Sequence, residues 1–439
     1  MMLKRKIEPL IEDYLLGDSD KILLVNGARQ IGKSFIVRHL CRKHFPHYVE
    51  INMADDFNGP QRFLHVRNAQ EFYVQLGALA GAELGNRDDT IIFIDEIQIY
   101  PTFLTMLKSL REDNRFRYIA SGSLLGVTLR KSTFIPIGSI ITKQMYPLDF
   151  EEYLWGVGVS EDAIGYLRDC YRNQTSPNPS IHQTFLDHFK HYLLVGGLPD
   201  AVVAWTKGHK ITDVRLIQNE IFQYYKDDAA QYDGEHKLKI SSLYGGLIST
   251  IESKVKRVVV RDIEHKDKAR SEQYRDEFDY LDNSGIALRC KSVAEARFPV
   301  EASSQNNLLK FYFNDVGILT NLLYKHQINA VLQEKTGVNL GAVYETAIAG
   351  ILAAKGYSLF YFDTKKMGEV DFLINDYDNL CPLPIEVKSG AEGYVFHALP
   401  KLMETPNYHI GRGVVLSNDG QVVVKEGIIH LPIYMAMFL

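Results

Sequence analysis

Cysteine is scarce. The four residues of this type, Cys41, Cys170, Cys290 and Cys381, lie far apart in the 439-residue chain and form no C-x-x-C pair. That spacing points to neither a zinc site nor a disulfide framework. Long hydrophobic runs are missing as well. No apolar stretch reaches the ~20 residues of a membrane-spanning helix. The start Met1-Met2-Leu3-Lys4-Arg5-Lys6 carries charge but no apolar segment behind it. A cytoplasmic protein with no membrane partner is expected. Positive charge is not in excess: 49 Lys and Arg stand against 54 Asp and Glu, for a net charge of −5. A generic basic nucleic-acid binder is therefore excluded, and any nucleic-acid contact must come from a local patch. No low-complexity tract or internal repeat is found. The bulk composition, 46% hydrophobic and 23% charged, is that of an ordinary globular protein. The length exceeds the ~250–300 residues at which one core stops growing, so two to four domains are expected.

The most informative stretch is Gly27-Ala28-Arg29-Gln30-Ile31-Gly32-Lys33-Ser34. It fits the phosphate-binding loop G-x-x-x-x-G-K-[ST] at every fixed position. Ile22-Leu23-Leu24-Val25 before it reads as a buried parallel strand, and Phe35 to Leu40 after it continues as a helix. Glycines let the backbone wrap close to phosphate oxygens, and the helix N-terminus adds positive potential. Lys33 would reach the β- and γ-phosphates, and the Ser34 hydroxyl would sit on Mg²⁺. Some sixty residues on, Thr90-Ile91-Ile92-Phe93-Ile94-Asp95-Glu96 is an apolar strand ending in two carboxylates. Such a strand delivers its acids at the C-terminal edge of a parallel sheet, where ligands bind. Asp95 would hold Mg²⁺ through water, and Glu96 would orient or deprotonate the attacking water. Tyr48 to Asn52, Phe116 to Ala120 and Ile140 to Met145 are further strands. Ser121-Gly122-Ser123 follows the second of these. A small polar residue there can contact the γ-phosphate or the lytic water. Both serines stay open on sequence, with Ser123 the expected nucleotide contact. The alternation of strand and helix patterns predicts a doubly wound parallel α/β domain.

Together with Phe93-Ile94-Asp95-Glu96-Ile97-Gln98, Tyr146-Pro147-Leu148 and Gly196-Gly197-Leu198-Pro199, these motifs give nearly the whole chain a resemblance to one family. The chain resembles the bacterial and archaeal AAA-type ATPases that carry a C-terminal nuclease-like domain. The resemblance implies an ATP-binding core of the AAA superfamily. It departs at Ile137-Gly138-Ser139, where many relatives have an arginine. Arg130 and Arg29 are the nearby candidates for an arginine finger. A neighbouring copy of the chain is the other source, since AAA proteins often supply this arginine in trans.

Residues 155 to about 235 read as helices, a lid on the ATP core. Beyond them, Leu238 to Ser253 and Tyr274 to Leu281 are helical, and Ile286 to Lys291 and Leu309 to Phe313 could be strands of a β-wing. This arrangement resembles the winged helix that the family would have here. Its charges are mixed. Lys254, Lys256, Arg257 and Arg261 are basic, yet the helix that would enter a groove carries Asp276, Glu277 and Asp279 beside Arg270 and Arg275. DNA contact and domain docking both stay open.

The last part reads helix, three strands, helix, strand, the αβββαβ order of the restriction-endonuclease-like fold. Asp371 lies fifteen positions before Glu386, and Glu386 and Lys388 alternate onto one strand face. This looks like the D…E-x-K nuclease motif, with Glu345 an extra helical carboxylate and without the proline that often precedes the aspartate. Glu345, Asp371 and Glu386 would hold Mg²⁺ against a phosphodiester, and Lys388 would polarise the attacking water. Solvated strand residues are the alternative.

The expected fold class is therefore α/β. A P-loop AAA core spans 1–155, a helical lid 156–236, a winged-helix-like module 237–328 and a restriction-endonuclease-like domain 329–439. The expected function is ATP binding and hydrolysis, with ATP and Mg²⁺ as ligands. DNA, a second copy of the chain or an unidentified protein are candidate partners. The alternative is a nucleotide-dependent switch in defence, toxin–antitoxin or signalling, whose nuclease-like domain only binds. A small-molecule phosphotransferase is disfavoured, because the Asp95-Glu96 pair serves water attack beside Mg²⁺ and not a bound acceptor.

Overall fold

The computed structural model describes residues 2–55, 60–63, 65–80, 84–123, 138–232, 237–252, 257–258, 271–333, 340–389 and 397–439. Arg130, Lys254, Lys256, Arg261 and Arg270 lie outside them. The chain divides into two compact units, residues 4–146 with 283–285, and residues 1–3, 147–282 and 286–439. Among the described residues no helix is long and apolar enough to cross a membrane.

The unit built on residues 4–146 is organised by a five-stranded parallel sheet. Its strands are β1 (Ile22–Asn26), β2 (His47–Asn52), β3 (Thr90–Asp95), β4 (Arg117–Gly122) and β5 (Ile140–Gln144), in the order β2-β3-β4-β1-β5. Every residue of β1, β3 and β4 is buried. This is what a near-continuous Ile/Leu/Val/Phe run does when helices cover both faces. The helix Lys33–His44 packs on β2, β3 and β4. Another core cluster joins Leu24, Ile92, Ile94 and Ala120 of the sheet to Phe72, Leu76, Phe103 and Leu107 of the helices Ala69–Ala80 and Pro101–Asp113. The helix Glu8–Leu16 is fastened to the sheet by polar contacts. Tyr14 donates to the carbonyls of Lys21 and Tyr118, and buried Arg117 donates to the carbonyls of Tyr14 and Gly17. The strand order places the β1 terminus between β4 and β5, so the loop that leaves β1 opens beside the ends of β3 and β4.

The other unit begins with helices, among them Phe150–Gly156, Glu161–Asn173, Pro179–Val195, Pro199–Thr206, Ile211–Tyr232 and Lys237–Glu252. The Gly196-Gly197 break after Val195 has a specific cause. Gly196 has φ +72, and a Cβ there would lie 2.2 Å from the Asp315 carboxylate. A Cβ on Gly197 would lie 1.9 Å from the Leu148 carbonyl oxygen. Buried Asp315 accepts from the Gly197 amide (2.6 Å) and caps the helix Val316–Tyr324 through the Ile318 amide (3.0 Å). Arg215, also buried, donates to the carbonyls of Leu194, Gly317 and Lys325. Burial pushes the Asp315 carboxyl up to about 6, against the pull of the backbone amides.

An eight-stranded mixed sheet completes this unit. Its strands are β6 (Ala287–Val293), β7 (Ser304–Phe313), β8 (Leu359–Thr364), β9 (Gly368–Asp376), β10 (Cys381–Val387), β11 (Gly413–Ser417), β12 (Val423–Lys425) and β13 (Ile428–Pro432). Their order is β12-β13-β11-β10-β9-β8-β6-β7. The hairpin expected as a wing, β6 and β7, forms antiparallel, and β6 also pairs in parallel with β8. Ala287, Leu288, Cys290, Ser292 and Val293 are all buried. A strand buried on both faces belongs inside a sheet, whereas a wing would leave one flank in water. The expected helix–strand–strand–strand–helix–strand order is present as Gly341–Ala354, β8, β9, β10, Ala398–Met403 and β11. The helix Gly341–Ala354 is apolar nearly all round and almost wholly buried, packed on β6, β7, β8 and β10. Glu345 is its one charged residue.

Candidate functional site

The loop after β1 takes a backbone course that most side chains would obstruct. Gly27 has φ +152, Gln30 +62 and Gly32 +92. A Cβ on Gly27 would come within 2.3 Å of the Met145 carbonyl oxygen. Gly32 is the N-cap of Lys33–His44 and supplies no side-chain cap. Buried Lys33 turns into the loop and donates to the carbonyls of Gly27 (3.0 Å) and Ala28 (2.7 Å). The loop is braced from outside by Arg5, whose guanidinium donates to the carbonyls of Ile31 (2.9 Å) and Tyr146 (2.6 Å). Arg5 was not among the expected site residues, because an arginine near the start of a chain carries no motif signal.

Asp95 and Glu96 stand at the end of β3, beside this loop. Asp95 is 3% exposed. Its carboxylate accepts from the Ser121 hydroxyl, from the Ser34 hydroxyl and from the Glu96 amide. Burial raises its pKa; the two hydroxyls oppose that, and the neighbouring Glu96 charge adds to it. A carboxylate whose charged form is disfavoured by burial and met only by neutral donors is an environment that a cation would relieve. The donor set, one carboxylate and one hydroxyl, has the hard oxygen chemistry that Mg²⁺ takes.

Glu96 adopts φ 53, ψ 39, a left-handed conformation that costs a non-glycine residue on the order of 1 kcal/mol. The turn swings its carboxylate away from Asp95 to a second set of partners. Glu96 Oε2 accepts from Gln98 Nε2 and lies 3.8 Å from Arg29 Nη2. Gln98 also donates to Ser123 Oγ (3.1 Å), and Arg29 Nε donates to the same oxygen (3.3 Å). The two serines thus divide the work: Ser121 serves Asp95, and Ser123 joins the loop arginine to the Glu96 side. Gln98 sits inside the Asp-Glu-Ile-Gln string, but a glutamine two residues past the acids has no role that spacing alone can assign. Of the two arginines expected near this site, Arg29 is at Glu96, and Arg130 is outside the described residues.

The C-terminal residues present a different picture. Asp371 on β9 and Glu386 on β10 are neighbours: Asp371 Oδ2 accepts from the Val387 amide at 2.8 Å. Lys388 Nζ donates to Glu386 Oε1 at 2.6 Å. Glu345 accepts from the Tyr312 hydroxyl at 3.2 Å. Sequence reasoning missed Lys310 of β7, which is buried, ion-paired with Glu369 of β9 and 4.5 Å from the centre of the Tyr361 ring. Burial alone would drive the Lys310 ammonium toward neutrality, yet the charges of Glu345, Glu369 and Asp371 hold it protonated. Burial raises the Glu386 pKa, offset in part by Lys388. Among the described residues no group of three or more His, Cys, Asp or Glu is arranged to hold a metal ion.

Three family models match successive parts of the chain. Residues 19–154 match an AAA domain, residues 186–328 a domain of unknown function (DUF8612), and residues 340–435 another domain of unknown function (DUF4143). No curated protein matches. Among solved structures, the Walker-type ATPase PABY2304 of Pyrococcus abyssi is similar at 15% identity and TM-score 0.43, over 73% of this chain and 96% of that one. The RuvB Holliday junction branch migration motor of Thermotoga maritima is similar at 12% identity and TM-score 0.30, over 65% and 90%. The Orc1 protein of Aeropyrum pernix, solved in complex with DNA, is similar at 14% identity and TM-score 0.27, over 74% and 92%. The five-stranded sheet, the glycine loop and the Asp-Glu strand end all fall within residues 19–154, the stretch that matches the AAA domain.

Proposed function

We propose that this core binds ATP with Mg²⁺ and hydrolyses it. The observation that carries the reading is the pair of carboxylates at the end of β3, one held by Ser34 and Ser121 and the other by Gln98 and Arg29. Lys33 would leave its own loop carbonyls for the β- and γ-phosphates. Ser34 and Asp95 would hold Mg²⁺, which supplies charge neutralisation at the phosphate oxygens. Glu96 takes the proton of the attacking water, and Gln98 fixes the direction of its carboxylate. Arg29 moves with the loop, so a filled loop and an empty one set Glu96 differently. Removing the divalent ion with EDTA should stop turnover.

DNA is the polymer this reading assigns to the rest of the chain, on the strength of the restriction-endonuclease-like element order around β8 to β11. A second reading, a nucleotide-dependent switch whose C-terminal domain binds without cutting, is favoured by one observation: the acids of that domain are paired with lysines. ATP turnover measured with and without single-stranded, duplex and branched DNA separates the two. Stimulation by DNA supports the first reading. Turnover indifferent to every DNA supports the second. No turnover under any condition overturns the hydrolytic assignment.

A further inference from the structure

The C-terminal acidic cluster contains its own cations. Glu369 is ion-paired with Lys310, and Glu386 with Lys388. The other two carboxylates are met by neutral donors, Asp371 by the Val387 amide and Glu345 by the Tyr312 hydroxyl. One buried oxygen, Glu386 Oε2, has no hydrogen-bond partner. Lys310 is the more telling of the two lysines. Its side chain is 1% exposed, and an ammonium group is withdrawn from water to that degree only where fixed negative charge compensates it. It comes from β7, at the far edge of the sheet from β10 in strand order. The carboxylates recognised from sequence, Glu345, Asp371 and Glu386, therefore lie 35, 61 and 76 residues from Lys310 in the chain.

We propose that Lys310 and Lys388 are the resident cations of this cluster and fill the electrostatic role of a divalent metal, so that the domain holds neither Mg²⁺ nor Mn²⁺ and serves as a non-cleaving module. A metal entering here would meet an ammonium already seated among the same acids, with like-charge repulsion. The domain keeps the strand placement of a D…E-x-K site, but two ammonium groups already stand among its four acids.

The inference concerns the C-terminal sheet and stands apart from the ATPase reading. Its test removes the phosphate-loop site from the readout. In the full chain carrying Asp95→Asn, MnCl₂ is titrated calorimetrically, and the melting temperature is followed with and without Mn²⁺. No saturable Mn²⁺ site and no thermal shift are expected. Adding Lys310→Met, which keeps an unbranched side chain one atom shorter and removes its charge, should create a site for one Mn²⁺ per chain and a Mn²⁺-dependent rise in melting temperature. Lys310→Arg, which keeps the charge, should not. Saturable Mn²⁺ binding in the Asp95→Asn chain that Asp371→Asn abolishes would overturn the proposal. So would a folded Lys310→Met chain that gains no Mn²⁺ site. If Lys310→Met does not fold, the comparison of Asp95→Asn with and without Asp371→Asn still decides. Because ATP turnover is not read at any step, failure here leaves the hydrolytic assignment untouched.

Discussion

At the end of β3, a buried carboxylate is kept by hydroxyls and an amide; on β10, buried Glu386 is kept by Lys388, and on β9, half-buried Glu369 is kept by Lys310. Both places use acidic residues at buried strand positions, and both read from sequence as metal sites. The difference lies in the charge of the partner. A hydroxyl stabilises Asp95 without cancelling its charge, so a cation still has something to neutralise. An ammonium beside Glu386 offsets that carboxylate's charge and leaves an entering cation less to neutralise.

The strongest way to break this comparison is at the two glutamates. Glu96→Gln should lower ATP turnover by ~10²–10⁴-fold while ATP stays bound, since a carboxamide cannot take the proton of the water. Glu386→Gln should leave turnover at the parent rate. A steady-state phosphate-release assay on both variants, with ATP binding followed separately, reads the contrast. Equal losses in the two would erase the distinction between an open and a closed acidic site.

Asp315 sharpens the comparison, because its direct donors are backbone amides. Its carboxyl is pushed up by burial from 3.8 to about 6. The folded chain therefore binds this proton more tightly than the unfolded one. The contribution favours folding in full below about pH 4 and is lost as pH rises through about 6, a loss of roughly 3 kcal/mol from this group. Asp315→Asn should remove that part of the stability-versus-pH slope between pH 4 and 6, at the cost of one amide acceptor. Denaturant midpoints measured across that range test it. An unchanged slope in the variant would show that amides alone suffice to hold a fully buried carboxylate ionised.

Lysines give the third contrast. Lys33→Ala should weaken ATP binding by about 10- to 100-fold, the worth of charge-assisted hydrogen bonds to the terminal phosphates. Lys388→Ala should not change ATP affinity. Calorimetric titration of a non-hydrolysable ATP analogue into each variant measures both. Comparable weakening by the two would mean that the C-terminal cluster takes part in nucleotide binding.

Much of the nucleotide site was legible in the sequence because its parts are local. The glycine loop is one continuous string, and Asp95 and Glu96 are adjacent. The apolar runs Ile22–Val25 and Ile91–Ile94 fold as fully buried parallel strands. What stayed hidden depends on tertiary neighbours. Gln98 and Arg29 meet over Ser123 only once β4 lies between β1 and β3. The hairpin of β6 and β7 was readable as a hairpin, but turn signals do not say which sheet a hairpin joins. Lys310 lies in a strand that the sequence reads as part of a wing, and only the order β9-β8-β6-β7 brings it to Glu369. Gly196-Gly197 read as a chain break, and the carboxylate that requires it, Asp315, stands more than a hundred residues away.

The smallest effect belongs to Arg29. Its guanidinium is 36% exposed and 3.8 Å from Glu96, and it hydrogen-bonds Ser123. An ion pair this open to water is worth ~0.2–1 kcal/mol. If Arg29 only positions Glu96, Arg29→Ala should lower kcat by about 1.5- to 5-fold and leave the affinity for ATP nearly unchanged, because the loop amides and Lys33 still bind the phosphates. Arg29→Lys should recover part of the loss, since the charge near Glu96 returns without the planar fork that reaches Ser123. Single-turnover rates, measured apart from binding, give the split. A loss approaching 10³-fold would instead place Arg29 on the transferred phosphoryl group as an arginine finger supplied in cis. Rates that also rise with protein concentration in the parent would move that role to a neighbouring copy of the chain. A modest loss, independent of concentration, fits an arginine that tells Glu96 whether the loop is filled.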